Sequence, residues 1–319
     1  MIKLIMIVLP LLASFMSCTV YKNSDFSLLR SQEPFFAENT PDYIDDAELF
    51  DAKKKISLTV LQSGKLLSSL SQMINLKHPA CAEMTDQSLT VPIYAYLLTH
   101  EEHGIYMIDT GVSNDYVNNN YGNMKGLLLP FVMSKTVVRS ENTIENILNS
   151  MNIKVEKLKG VFFTHLHFDH TSGLSSFPRP LLLVAGADEF SPNIPVLLKP
   201  GHFRKSDILY RIAFDQKYAS DSSIGRVVDI FGDGSIWAIW TPGHSKGHIS
   251  YLVNTCDGPV LVAGDALMNY HSIKYGCGPG KCFDGVDKAQ ATIDRLISFI
   301  KKNPQVRVLA GHDYPTDNE

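Results

Sequence analysis

One short segment constrains this chain more than any other feature: Thr164-His165-Leu166-His167-Phe168-Asp169-His170. It leaves the apolar run Gly160-Val161-Phe162-Phe163-Thr164, which reads as a short buried strand. Imidazole nitrogens and carboxylate oxygens are ligands for zinc and similar ions. On a loop, side chains at 165 and 167 share one direction, while 169 and 170 turn to a second centre. With 11 histidines in 319 residues, three histidines and an aspartate within six positions form a ligand pattern and not a chance polar cluster. A fold that uses this segment must bring further ligands to it from elsewhere.

Suitable ligands follow three later apolar runs. His244, in Thr241-Pro242-Gly243-His244, comes after the run ending at Trp240. Asp265 follows the run 260–263, and His312 follows the run 306–310. Each places one ligand at the end of a strand, and such ends converge where a rigid scaffold carries function on its loops.

The rest of the pattern starts at Ile56, where Ile56 to Leu61 alternates like a strand. Val91 to Thr99 is a second strand despite Pro92, with Gly104 to Asp109 as its hairpin partner. Ser140 reads as an N-cap, and Ile144, Ile147, Leu148 and Met151 predict an amphipathic helix over 141–151. Further strands are predicted at 181–185, 235–240, 249–254, 260–263 and 306–310, and a helix at 286–301. Strands come in runs with occasional helices, without strict alternation. That order suits sheets packed face to face with helices outside.

At this point the sequence resembles the metallo-β-lactamase superfamily, over residues 56–319. The His-x-His-x-Asp-His segment carries the resemblance, with His244, Asp265 and His312 in order behind it. The resemblance implies an α+β fold, an αββα four-layer sandwich with the metal site at one edge. Carried over by position, His165, His167 and His244 hold one metal, Asp169, His170 and His312 hold the other, and Asp265 bridges them. Asp109, in Met107-Ile108-Asp109-Thr110-Gly111, supports the site from behind, and His248 is a further candidate for that role or a structural histidine. Two zinc ions are the implied cofactors, with iron or manganese as alternatives. The implied reaction is hydrolysis by a metal-bridging hydroxide, with Asp169, Asp265 and Tyr270 as the candidate catalytic residues.

Among the family's branches, the bridging Asp265 separates the chain from the true β-lactamases. Only seven residues follow His312, so the helical extension of the thioesterase branch has no counterpart. The ligand spacing and the Gly311-His312-Asp313 ending look most like the N-acyl homoserine lactonase branch, which implies a lactone or ester substrate. Those lactonases place a tyrosine three residues after the bridging aspartate. This chain has Met268 there, with Tyr270 nearby. Hydrolysis of a β-lactam, thioester or phosphodiester, or a non-hydrolytic metal-binding role, are the alternatives.

Tyr121, Leu127, Leu128 and Phe131, in the aromatic and apolar stretch 118–133, are candidates for a wall against the substrate. The stretch 191–220 is a second candidate lid, whose His202 and Arg204 read as surface groups. A net charge of -4 and the absence of a long basic run speak against a nucleic-acid partner.

Residues 1–18 read as a secretory signal peptide: Lys3, then an apolar stretch from Leu4 to Leu12, then Cys18 where a bacterial lipoprotein signal ends. The expected protein is exported, periplasmic or membrane-anchored through a lipidated Cys18, with residues 19–55 as a polar tether containing one short helix. An exported chain meets an oxidising compartment. Of Cys81, Cys256, Cys277 and Cys282, the last two bracket Gly278-Pro279-Gly280, a turn that would bring them together as a disulfide.

Overall fold

The structure, a computed structural model, describes residues 22–25, 41–132, 135–189, 201–215 and 219–313. The predicted signal peptide, Cys18 and part of the candidate lid lie outside these residues. In chain order the elements are β1 (Lys22–Asp25), α1 (Asp46–Phe50), β2 (Ile56–Ser69), α2 (Leu70–Met73), β3 (Ser88–His100) and β4 (Gly104–Ile108). Then come α3 (Leu129–Val132), β5 (Thr136–Val137), α4 (Ile144–Ser150), β6 (Leu158–Phe162), α5 (Phe168–Thr171), β7 (Leu182–Gly186) and β8 (Ile208–Ile212). The chain continues through β9 (Val227–Asp229), β10 (Ile236–Trp240), β11 (Ile249–Thr255), β12 (Gly258–Gly264), α6 (Tyr270–Tyr275), α7 (Val286–Lys302) and β13 (Arg307–Ala310).

The strands form two half-sheets. One runs β1-β8-β7-β6-β4-β3-β2, and the other joins β9, β10, β11, β12 and β13. Among the described residues, one residue pair, Thr255 with Ile56, links the halves in register. Successive side chains of a strand point to opposite faces, so a strand buried on both faces reads as an unbroken apolar run. Here Tyr106 and Ile108 of β4 face the core between the halves, while Met107 turns outward onto Ile144 and Leu148 of α4. Similarly, Ala238 of β10 faces inward, while Trp237 and Ile239 pack outward with Ile293, Leu296 and Ile297 of α7. The result is helix, sheet, sheet, helix, the four-layer α+β sandwich expected from the sequence.

The helix of 17 residues at α7 is amphipathic, with Asp287 in its first turn and Lys301 and Lys302 in its last, the charge order that complements the helix dipole. Near α4, Ser140 opens a short 3-10 turn, and Thr143 occupies the N-cap position instead. The segment 41–55 packs onto the sandwich: Ile44 and Leu49 are buried against the α7 layer, and Asp45 caps α1 in a capping box with Glu48. Among the described residues, no helix is long and apolar enough to cross a membrane.

The disulfide differs from the sequence expectation. Cys277 bonds Cys81, and Cys282 is free with its thiol toward the Pro279 carbonyl. The segment between them lies along the chain at α2 instead of closing on itself: Asn75 N–H donates to Gly278 O, and Lys281 N–H donates to Gln72 O. That docking turns Cys277 toward Cys81, 196 residues away in sequence.

Candidate metal centre

The ligand segments leave the two half-sheets at one edge. The loop 163–170 follows β6 in the first half, while His244, Asp265 and His312 follow β10, β12 and β13 in the second. Seven side chains that the sequence placed together do meet there, and all but His167 are buried. They fall into two groups, His165, His167, His244 and Asp265 in one, and Asp169, His170 and His312 in the other.

In the first group, His167 Nδ1 lies 2.8 Å from His165 Nε2 and 3.0 Å from His244 Nε2. Asp265 Oδ2 lies 3.3 Å from His244 Nε2 and 3.8 Å from His165 Nε2. In the second group, Asp169 Oδ2 lies 3.4 Å from both His170 Nε2 and His312 Nε2. The other oxygen of Asp265, Oδ1, stands 3.4 Å from each of the same two nitrogens. One carboxylate thus faces both groups with one oxygen each. Ligand atoms about 2.0–2.1 Å from a tetrahedral ion stand about 3.3–3.4 Å apart, the separation of every carboxylate–imidazole pair here except Asp265 with His165.

The far side of four of the five imidazoles is fixed, while His167 turns its Nδ1 inward. His170 Nδ1–H donates to Asp109 Oδ2 at 2.8 Å, His312 Nδ1–H to the Pro92 carbonyl at 2.8 Å, and His244 Nδ1–H to the Lys281 carbonyl at 3.0 Å. His165 Nδ1 lies 3.1 Å from the Thr164 hydroxyl, which donates to Asp109 Oδ2. With Nδ1 committed as a donor, Nε2 keeps its lone pair for the centre, the usual arrangement around a metal. Asp109 also accepts from Thr164 N–H and adopts a φ of 55°. His248, the other expected support, accepts the Asp265 backbone N–H at 3.1 Å through Nε2 and contacts the Thr241 hydroxyl at 2.8 Å through Nδ1. Gly311 makes room for the shared carboxylate, since a Cβ there would lie 2.7 Å from Asp265 Oδ1.

Two observations fit these residues to cations. Buried Asp265 Oδ1 and His170 Nε2 have no hydrogen-bond partner among the described residues, although buried polar atoms are nearly always satisfied. The electrostatics agree. Burial alone would lower the pKa of His170 and His312, yet the carboxylates of Asp169 and Asp265, joined at His170 by Asp109, outweigh it. They hold His170 well above the usual histidine range and push His312 up to about 10. A proton there stands where positive charge is favoured. In the first group, burial and mutual repulsion hold His165 and His167 well below the usual range, leaving neutral imidazoles suited to ligation.

Other sequence-derived candidates divide. The Tyr270 hydroxyl donates to the Val308 carbonyl at 2.7 Å. Met268 is buried in an apolar cluster with Cys81 and Cys277. Tyr121 packs against Met124 and Leu129, as does Phe168, the residue between His167 and Asp169. Leu127 and Phe131 are exposed, and Leu128 is half-buried. Arg204 is exposed as expected, but His202 is not a surface group. It is buried beneath α5, with Nε2 2.9 Å from the Thr171 hydroxyl, which donates to the His167 carbonyl.

Burial depresses the His202 pKa to about 3. The unfolded chain takes up this proton near pH 6.5, whereas the folded chain resists it down to about 3. The contribution is therefore present above pH 6.5 and is lost as the pH falls toward 3. Replacing His202 with Gln is expected to remove about one proton from the uptake on unfolding in that window. The slope of unfolding free energy against pH measures it, and an unchanged slope contradicts the assignment.

Three contributors were not legible in the sequence: Glu189, Lys281 and Phe283. The Phe283 ring stands edge-on to His167 at 5.1 Å and to His244 at 6.1 Å, and remains exposed. Lys281 Nζ lies 5.5 Å from the centre of that ring. The only sequence signal for the pair was proximity to the Gly278-Pro279-Gly280 turn.

Comparison with known proteins agrees with this geometry. Cytochrome P450 monooxygenase mpaDE of Penicillium brevicompactum is 28% identical over 195 residues, 56% of this chain, and the match spans only 22% of that protein's length. N-acyl homoserine lactonase AttM of Azorhizobium caulinodans is 25% identical over 264 residues, 81% of this chain and 93% of the relative. A solved N-acyl homoserine lactone hydrolase, with the product N-hexanoyl-L-homoserine at its catalytic metal center, shares the fold with a TM-score of 0.63 at 23% identity. That likeness covers 82% of this chain and 94% of the other. The family model described as metallo-beta-lactamase superfamily matches residues 89–312, and with the two ligand groups at the sheet edge this chain belongs to that superfamily.

Proposed function

We propose that this chain is a binuclear metal-dependent hydrolase that opens lactones or esters. The observation that carries the reading is the Asp265 carboxylate, whose two oxygens face two separate ligand groups. Zinc suits the imidazole and carboxylate donors, which iron and manganese also accept. When bound, the ions supply an acidified water and a Lewis acid for a carbonyl. The chain's own residues do the rest. Asp265 and Asp169 balance the cationic charge, the fixed imidazoles direct their nitrogens, and Asp109 holds His170 and Thr164 in place.

The resemblance to AttM and to the product-bound lactone hydrolase favours an acyl homoserine lactone among possible substrates. Tyr121 and Phe168 packed on the same Met124 and Leu129 cluster, with exposed Leu127 and Phe131 in the same stretch, support an apolar wall for an acyl chain. No tyrosine hydroxyl occupies the position three residues beyond Asp265, and Tyr270 is engaged with Val308. Lys281 is the cationic side chain at the mouth, and it contacts the substrate oxygen in this reading.

Lys281→Met keeps the backbone carbonyl that holds His244 and removes only the ammonium. A hydrogen bond from a charged donor contributes about 1.5–3 kcal/mol, so kcat/KM for a lactone is expected to fall about 10–100-fold. Metal content should stay unchanged. Steady-state kinetics with elemental analysis checks this, and an unaltered kcat/KM removes Lys281 from the substrate site.

The N-terminal signal pattern supports export and attachment through a lipidated Cys18. Labelled palmitate should enter the chain and be lost in Cys18→Ser. For the reaction itself, a panel of an acyl homoserine lactone, an aryl ester, a cephalosporin and a thioester is decisive. Turnover of the lactone or the aryl ester is expected. Turnover of the cephalosporin or thioester alone overturns the substrate assignment.

A further inference from the structure

The metal centre straddles a seam. His165 and His167 come from the loop after β6 in one half-sheet, and His244 from the loop after β10 in the other. The halves share one register pair, Thr255 with Ile56. Hydrogen bonds cross the seam near the site: Ile249 N–H donates to Thr164 O, and the Tyr251 hydroxyl donates to Phe163 O. One buried charged side chain also reaches both ligand loops. Glu189, just beyond β7, accepts the Leu166 N–H through Oε2 at 3.2 Å. Its Oε1 accepts the Gly247 N–H at 3.1 Å and the Ser245 hydroxyl.

These three donors flank the ligands. Leu166 is the residue between His165 and His167, and Ser245 follows His244. The packing leaves no slack, because a Cβ at Gly247 would lie 2.6 Å from Glu189 N. A buried carboxylate is unfavourable unless its oxygens are hydrogen-bonded, and here the donors Leu166 N–H, Gly247 N–H and the Ser245 hydroxyl come from the two ligand loops. Burial raises this carboxyl to about 7 despite those hydrogen bonds and nearby Arg211, so the group is held in place against an electrostatic penalty.

We propose that Glu189 is a positioning residue that sets the spacing of His165 and His167 against His244, and so tunes the first metal site selectively. The inference rests on the binuclear reading above. Asp169, His170 and His312 receive nothing from Glu189, so the second site should not respond.

Cobalt titrations followed by d–d absorption test this on the full chain. His312→Ala isolates the first site and His244→Ala isolates the second. Adding Glu189→Gln turns one acceptor into a donor that faces an N–H or hydroxyl donor. Partners behind metal ligands typically change affinity about 10–100-fold. The expected result is a loss of that size, with a shifted absorption band, in the His312→Ala background. Affinity in the His244→Ala background should stay within about twofold, well below that loss. Ser245→Ala, which removes one donor and preserves the carboxylate, should give a smaller loss at the first site only, and serves if Glu189→Gln does not fold. Equal losses at both sites, or a lowered Tm with both affinities intact, overturn the positioning role while leaving the binuclear reading standing. A parent chain that takes up no cobalt overturns both.

Discussion

An Asp265→Ala variant is expected to lose at least about 10³-fold in kcat, roughly 4 kcal/mol of transition-state stabilisation, and to retain about one metal ion per chain or fewer. The reason is geometric. Each oxygen of this carboxylate faces one ligand group, at 3.3 Å from His244 Nε2 on one side and 3.4 Å from His170 and His312 Nε2 on the other. No other described side chain occupies that position. Removing it leaves the first group with three neutral imidazoles, and the second with a single inward carboxylate, Asp169. The backbone contact from Asp265 N–H to His248 Nε2 survives in alanine, so the loop should keep its place. Elemental analysis with kinetics on a lactone checks the prediction, and near-normal turnover contradicts it.

The second large effect is expected from Asp109→Ala. Asp109 is buried and accepts three hydrogen bonds, from Thr164 N–H, the Thr164 hydroxyl and His170 Nδ1–H, each at 2.8 Å. Alanine leaves buried donors unpaired, at about 1–3 kcal/mol each. It also places an ordinary side chain at a φ of 55°, which aspartate and asparagine tolerate better. His170 loses its orienting partner, so affinity at the second site should fall about 10–100-fold. Asp109→Asn, which tolerates the backbone and keeps one acceptor, should recover part of the stability but not the full affinity. Thermal unfolding beside a metal titration separates the two effects. Equal behaviour of the two variants in both assays would remove the carboxylate from the account.

The candidate ligands were legible because the sequence writes them compactly. The segment 165–170 is contiguous, and His244, Asp265 and His312 each end an apolar run that alternates between two buried faces. The four-layer packing follows from the same runs. What stayed hidden depends on long-range proximity. Cys277 finds Cys81 because the intervening glycine-proline turn docks along α2, which local spacing does not encode. His202 looked like a surface group because its burial comes from α5 and Asn123, distant in sequence. Glu189 carries no motif, and its role exists only where two half-sheets meet. β9 is only three residues long, and β8 is half-exposed and interrupted by Arg211, so neither forms the unbroken apolar run that made the inner strands readable.

Metal content of the purified chain, measured by elemental analysis after reconstitution with zinc, tests the central claim most directly. About two ions per chain are expected, both removed by a chelator together with hydrolytic activity. Fewer than one ion per chain after reconstitution would contradict it.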